Sequence, residues 1–255
     1  MKLSCEPAEI NAYRSRSQLA RVATEAWCAK WMFCAACDSP SIGQTSPNTP
    51  AIDFVCERCG EPFQLKSSRL PFSNRVVDGS YEAMLRAIRE DRTPNILLLQ
   101  YSSDWRIDNL ELLPRFCFSE SFVQKRKPLS ATARRAGWVG CNLLLGQLLP
   151  DARIGVVIDS ITAESSEVRR RFAKLRPLNQ LPPSLRGWTL EVYRGLVSLQ
   201  KQRFTLQEAY KLERSLHASY PGNNNVRSKI RQQLQILRDL GMLNFIGGGE
   251  YSLPG

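Results

Sequence analysis

Cys34-Ala35-Ala36-Cys37, then Ile52-Asp53-Phe54-Val55-Cys56-Glu57-Arg58-Cys59 and Phe63-Gln64-Leu65-Lys66, are the segments that decide the fold. Eighteen residues separate the two C-x2-C pairs. Each pair makes a tight knuckle, and four thiolates close a tetrahedral zinc site with no open position, so the expected metal is structural. A disulfide framework is not expected in a chain this long with no secretory signal. Cys5, Cys28, Cys117 and Cys141 show no pairing pattern and read as small core residues.

Residues 52–55 and 63–66 read as short strands on either side of the second knuckle. They form a hairpin with zinc at its turn. A turn centred between Arg58 and Cys59 sets Asp53 opposite Gln64. Alternation then puts Gln64 and Lys66 on one face and Leu65 on the other. The metal holds the hairpin tip against slips of register.

An acid, a second oxygen ligand and a lysine suit metal-assisted hydrolysis of a phosphodiester. Asp53 and the Gln64 side-chain oxygen are candidate ligands for Mg²⁺, a hard cation. The Leu65 carbonyl is a third. Glu25 is a further candidate, beside the apolar stripe Leu19, Val22, Ala23, Ala26 and Trp27 of a helix expected over residues 17–30. Lys66 would position the attacking water or offset charge on the phosphate. A solvated surface hairpin is the plainer alternative for these residues.

The single histidine, His217, lies on an expected C-terminal helix facing solvent. Histidine-based nucleases, Ser-His-Asp hydrolases and histidine-ligated catalytic zinc are therefore not expected. No phosphate loop or dinucleotide fingerprint is present, and Gly247-Gly248-Gly249 reads as a hairpin tip. A net charge of +11 points to a polyanion. Basic clusters occur at Lys125-Arg126-Lys127, Arg134-Arg135 and Arg169-Arg170-Arg171. The first two precede Trp138 and combine phosphate-binding charge with a stacking surface. The third is equally the solvated face of a helix. No apolar run is long enough to span a bilayer, and a cytoplasmic protein is expected.

Further strands are expected at residues 96–101, 110–113 and 154–158, and a helix over 81–89. Together these form a mixed α/β domain. Residues 176–184, with three prolines, read as a linker. Beyond it, a helix over 188–199 precedes one capped by Thr205 with Glu208 as a capping box. Asn223-Asn224-Asn225 caps a third helix. Its Val226, Ile230, Leu234 and Leu237 share one face, with Arg227, Arg231, Gln235 and Arg238 opposite and Ser228 and Gln232 beside them. A strand, glycine turn and strand follow over 243–253. The pattern is a winged helix whose third helix offers Arg227, Arg231, Gln232 and Gln235 to base edges. A small helical protein-interaction domain remains the alternative.

Over essentially its whole length the chain resembles the DpnI family of methyl-directed restriction endonucleases. The resemblance rests on Ser17-Gln18 with Thr24-Glu25, both cysteine pairs, and residues 53–66. It also covers Arg126-Lys127-Pro128-Leu129, Thr132-Ala133-Arg134-Arg135-Ala136-Gly137-Trp138, Arg186-Gly187-Trp188-Thr189 and the string from Ile230 to Asp239. It implies an α/β PD-(D/E)xK nuclease domain with an inserted four-cysteine zinc site over 1–182 and a winged helix over 183–255. The implied activity is Mg²⁺-dependent cutting of double-stranded DNA at GATC sites carrying N6-methyladenine, by a protein monomeric in solution. Both domains are expected to recognise the methylated sequence, with Arg126, Lys127, Arg134, Arg135 and Trp138 contacting DNA in the first.

One position departs from the family, which carries an acidic residue where this chain has Gln64. Glutamine keeps an oxygen ligand and loses a charge, so weaker Mg²⁺ binding is expected. Glu61 is a poor replacement because its odd spacing from Gln64 turns it to the other strand face. Burying one methyl contributes about 0.8 kcal/mol, too little alone for strict methyl dependence. Two methyls sensed by two domains would multiply the preference, with Trp138 supported by Arg126 and Arg135 as the pocket in the first domain. The second functional reading is a catalytically silent zinc and winged-helix DNA-binding regulator.

Overall fold

The computed structural model describes residues 1–5, 15–46 and 49–254. In chain order it contains α1 (Arg16–Trp31), β1 (Gly43–Gln44), β2 (Phe54–Val55), β3 (Pro62–Ser68), β4 (Arg75–Ser80), α2 (Tyr81–Arg89), β5 (Asn95–Tyr101) and β6 (Ile107–Leu113). Then come β7 (Val123–Lys125), β8 (Gly140–Leu144), β9 (Ile154–Ile158), β10 (Ile161–Thr162), α3 (Ser165–Leu175) and α4 (Pro183–Ser198). The C-terminal region adds β11 (Arg203–Thr205), α5 (Leu206–Tyr210), α6 (Glu213–Ser219), α7 (Val226–Asp239), β12 (Asn244–Gly247) and β13 (Glu250–Ser252). The fold is mixed α/β with a C-terminal helical domain. Among the described residues no helix is long and apolar enough to cross a membrane.

The chain divides into two compact units: residues 1–77, 92–117 and 151–176, and residues 78–91, 118–150 and 177–255. The first is built on a seven-stranded sheet of order β1-β2-β3-β5-β6-β9-β10. Its pairings are antiparallel except β3 with β5, which run parallel. Ile96, Leu97, Leu98 and Leu99 of β5 are all buried. An unbroken apolar run of this kind suits a strand covered on both faces. On α1 the buried side chains are Leu19, Ala20, Ala23, Thr24, Trp27 and Cys28. That face is rotated from the expected stripe: Ala26 is exposed and Val22 half-buried. Thr24 tolerates burial because its hydroxyl donates to the Ala20 carbonyl at 2.8 Å and lies 3.2 Å from Ser67 Oγ. Val168, Phe172 and Leu175 bury the inner face of α3, where Phe172 meets Phe116 edge-on at 5.1 Å.

The second unit holds the antiparallel pair β7 and β8 and the C-terminal domain. In that domain β11, β13 and β12 form a small sheet beside α4, α5, α6 and α7. The Thr205 and Glu208 capping box is formed at the start of α5. On α7, Val226, Ile230, Leu234 and Leu237 are buried as their spacing requires. Two expectations here are corrected. Asn225 occupies the cap of α7 without a side-chain cap bond; instead Asn223 Oδ1 accepts from the Asn225 N–H at 2.8 Å, making a local turn. The expected linker is structured: residues 176–180 form a tight helical turn with Leu178 fully buried, and α4 starts at Pro183. Proline at the first helical position has no N–H to lose, so Pro182-Pro183 starts a helix rather than spacing two domains. Arg186 then buries its guanidinium against Asp91 at 2.7 Å and the Leu181 carbonyl at 2.8 Å.

Candidate metal centre and active site

The hairpin that the sequence draws across the second cysteine pair is present. Phe54 pairs with Phe63 and Val55 with Pro62. That register is centred between Arg58 and Cys59. The knuckle closes through Gly60, whose N–H donates to the Cys56 carbonyl at 2.8 Å and whose φ of +74° favours glycine. Cys34 and Cys59 sulfurs are 3.6 Å apart, as are those of Cys37 and Cys56, and all four lie within 4.8 Å of one another. A tetrahedral ion with Zn–S of about 2.3 Å holds its sulfurs ~3.8 Å apart. The cluster is therefore compatible with a structural zinc. Burial pushes the Cys34 thiol up. At Cys56 burial is outweighed by the N–H groups of Cys59 and Arg58, and the thiol falls to about 7. Cys5, Cys28, Cys117 and Cys141 are all buried away from the cluster.

The three consecutive arginines of α3 have different partners. From α3, Arg169 donates to the Cys34 carbonyl and the Ser39 carbonyl, each at 3.0 Å, and stacks over Phe33 at 5.1 Å. It braces the first knuckle from outside. Arg170 pairs with Glu167 on the same helix, and Arg171 donates to the Arg153 carbonyl. Glu61 is held by Arg115 at 3.0 Å and Asn95 at 2.9 Å, so its carboxylate is engaged away from Asp53.

Asp53 precedes β2. Its N–H donates to the Phe63 carbonyl, and its own carbonyl accepts from the Thr45 N–H, both at 2.9 Å. Its carboxylate Oδ2 accepts from the Leu65 N–H at 2.7 Å. Leu65 thus reaches the site through its amide, which fixes the Asp53 side chain. Glu25 on α1 and Asp53 line one open, mainly polar cavity of about 340 Å³, together with Arg21, Gln44 and Thr45. Gln44 Nε2 donates to Glu25 Oε2 at 3.2 Å, and Arg21 Nε lies 3.5 Å from Oε1. Burial raises the Glu25 carboxyl above its ordinary value; Arg21 opposes this and the Asp53 charge adds to it. Two carboxylates that repel across a polar cavity are an oxygen donor set suited to a divalent cation. Gln64 and Lys66 do not line this cavity among the described residues. They sit on β3, paired in register with Ile96 and Leu98 of β5. Lys66 lines a neighbouring cavity. The sequence reading missed Arg21 and Gln44; only Arg21, one helical turn before Glu25, left a local signal.

The expected DNA-contacting residues fall in two places of the second unit. Residues 126–139 form the loop between β7 and β8, closed by Arg126 N–H to the Gly140 carbonyl at 3.0 Å and Leu129 N–H to the Trp138 carbonyl at 2.9 Å. Arg126, Lys127, Arg134 and Arg135 are exposed. Among the described residues, Arg126, Lys127 and Arg134 make no ion pair or side-chain hydrogen bond. Trp138 is half-buried, with the Arg135 guanidinium 4.6 Å from its ring centre. Its indole covers Gly140, where an added Cβ would come within 2.9 Å of two ring atoms. On α7, Arg227, Arg231, Gln232 and Gln235 are exposed. Two of them are engaged by a residue the sequence did not flag. Arg227 and Arg231 both stack on Tyr210, at 5.3 and 5.6 Å, and Arg231 also bonds its hydroxyl. Arg227 further pairs with Glu213 at 2.8 Å. His217 is exposed, as expected.

Comparison with known families assigns both parts of this architecture. A family model described as the DpnI, Dam-replacing family matches residues 1–181, and one described as the Dam-replacing HTH domain matches residues 184–252. These matches imply a DNA partner and a nuclease lineage. With both models spanning nearly all of the chain, from the cysteine hairpin to the glycine turn, the protein belongs to the DpnI (Dam-replacing) family.

Proposed function

We propose that this protein is a methyl-directed type II restriction endonuclease. It hydrolyses phosphodiester bonds in double-stranded DNA at GATC sites carrying N6-methyladenine, with Mg²⁺ as cofactor. The observation that carries the reading is the meeting of Asp53 and Glu25 in one polar cavity beside a hairpin closed by four cysteines. On this reading residues 1–182 are a PD-(D/E)xK-like domain with bound structural zinc, and residues 183–255 are a winged helix.

Asp53 and Glu25 would hold Mg²⁺ with the Gln64 side-chain oxygen and the Leu65 carbonyl. The ion supplies charge stabilisation at the phosphate and lowers the pKa of the attacking water. The Leu65 N–H fixes the Asp53 carboxylate, while Gln44 and Arg21 orient Glu25. Lys66 offsets the negative charge that develops on the phosphate oxygens. The exposed cations Arg126, Lys127 and Arg134 meet backbone phosphates, and Trp138 with Arg135 forms an apolar surface for the methyl group. On α7, Arg227, Arg231, Gln232 and Gln235 read base edges, with Tyr210 stiffening the two arginines before they meet DNA.

Gln64 favours the competing reading of a silent DNA-binding regulator, since it removes a negative charge from the centre. Cleavage separates the two. A duplex with one fully methylated GATC should be cut by the wild type, and Gln64→Glu should lower the Mg²⁺ concentration for half-maximal cleavage by roughly tenfold. An unchanged Mg²⁺ requirement would remove Gln64 from the ligand set. No cutting by either form would favour the regulator.

A further inference from the structure

The segment from Lys66 to Val77 encloses an open cavity of about 440 Å³ that no sequence motif flags. Lys66, Ser68, Ser73 and Arg75 line it, and among the described residues no carboxylate does. Arg75 is exposed and makes no side-chain ion pair or hydrogen bond among the described residues. Its backbone N–H and carbonyl both lie 3.4 Å from the Ser73 hydroxyl, which keeps the two side by side. Ser68 Oγ accepts from the Leu70 N–H at 3.0 Å, leaving its own proton to donate. Buried Val76 anchors the segment directly after Arg75.

A concave wall that carries the exposed Arg75 guanidinium beside serine hydroxyls is suited to an anion. Ser68 lies two residues beyond Lys66, ~6.6 Å further along the strand. Among the described residues this cavity shares no lining residue with the one that holds Asp53 and Glu25, so a phosphate at the carboxylates does not fill it. We propose that this cavity is a second phosphate subsite, which takes the DNA backbone phosphodiester next to the one that is cut. Arg75 supplies the charge and Ser68 a neutral donor, while Ser73, which donates to the Arg75 carbonyl, holds the segment in shape. The proposal rests on the nuclease reading. The subsite reads no base; it fixes the register of the cut strand at the catalytic centre.

The test uses the full chain with Ca²⁺ in place of Mg²⁺, so that binding is measured without cleavage. Arg75→Gln should make the fall of log affinity with log salt shallower by about 0.9, on methylated and unmethylated duplexes alike. Arg75→Lys keeps the charge and should keep the wild-type slope. Duplexes carrying a single neutral methylphosphonate, moved along the strand, give the second readout. One position should weaken the wild type and leave Arg75→Gln indifferent, while the other positions affect both proteins. An unchanged slope, or a penalty at every position that survives in Arg75→Gln, overturns the subsite. If Arg75→Gln fails to fold, Arg75→Met, which keeps the aliphatic stem and loses the charge, takes its place in both measurements with the same outcomes expected. If the wild type binds methylated duplex but leaves it intact in Mg²⁺, the nuclease reading fails, while slope and scan still report whether Arg75 meets a phosphate.

Discussion

Asp53→Asn is expected to reduce single-turnover cleavage of methylated duplex by about a thousandfold. Affinity for the same DNA with Ca²⁺ present should stay within about threefold. Losing one charged ligand from a metal-assisted centre removes several kcal/mol of transition-state stabilisation, and about 4 kcal/mol corresponds to three decades of rate. Asparagine is the informative replacement because its side-chain oxygen can still accept the Leu65 N–H, the bond that ties the Asp53 side chain to β3. The hairpin, whose register is set by Phe54 with Phe63, keeps its geometry and only the charge is lost. A decrease of less than tenfold would place the chemistry elsewhere.

Cys56→Ser is expected to release one zinc per chain and abolish cleavage, with a large fall in the melting temperature of the first unit. Structural zinc sites bind with roughly 10–16 kcal/mol in isolated fingers, comparable with the whole stability of a domain at about 5–15 kcal/mol. The cluster lies at the tip of the hairpin that positions Asp53, so its loss reaches the centre through the backbone. Arg169 would lose its hold as well, since its partners are carbonyls of the first knuckle. Zinc analysis beside a thermal melt checks this. Restoring Mg²⁺ after zinc removal should not restore cutting. A Cys56→Ser protein that retains one zinc and cuts normally would show that the four sulfurs do not form a single metal site.

The parts of this structure that were legible in the sequence are those fixed by short-range rules. Two cysteines three apart make a knuckle, and the turn centre follows. The pairing of Phe54 with Phe63 is then arithmetic. Thr205 and Glu208 are likewise three apart, and their mutual cap forms as read. The buried face of α7 follows from helical spacing alone. What escaped depends on residues distant in the chain. Arg169 reaches Cys34 across 135 positions, and Tyr210 reaches Arg231 across 21, leaving no periodic trace in either segment. Gln44 meets Glu25 only because a strand of two residues lies beside α1. The helix starting at Pro183 was missed for a different reason: two prolines usually mark an extended spacer, and here the second is the first residue of a helix.

The most direct measurement incubates the purified protein and Mg²⁺ with two preparations of one plasmid, adenine-methylated at GATC and unmethylated. The account predicts discrete fragments from the methylated plasmid alone. Cutting of both preparations would contradict methyl direction. Intact DNA in both, even at high Mg²⁺ or with Mn²⁺, would contradict the nuclease and leave a zinc and winged-helix DNA binder whose centre was silenced at Gln64.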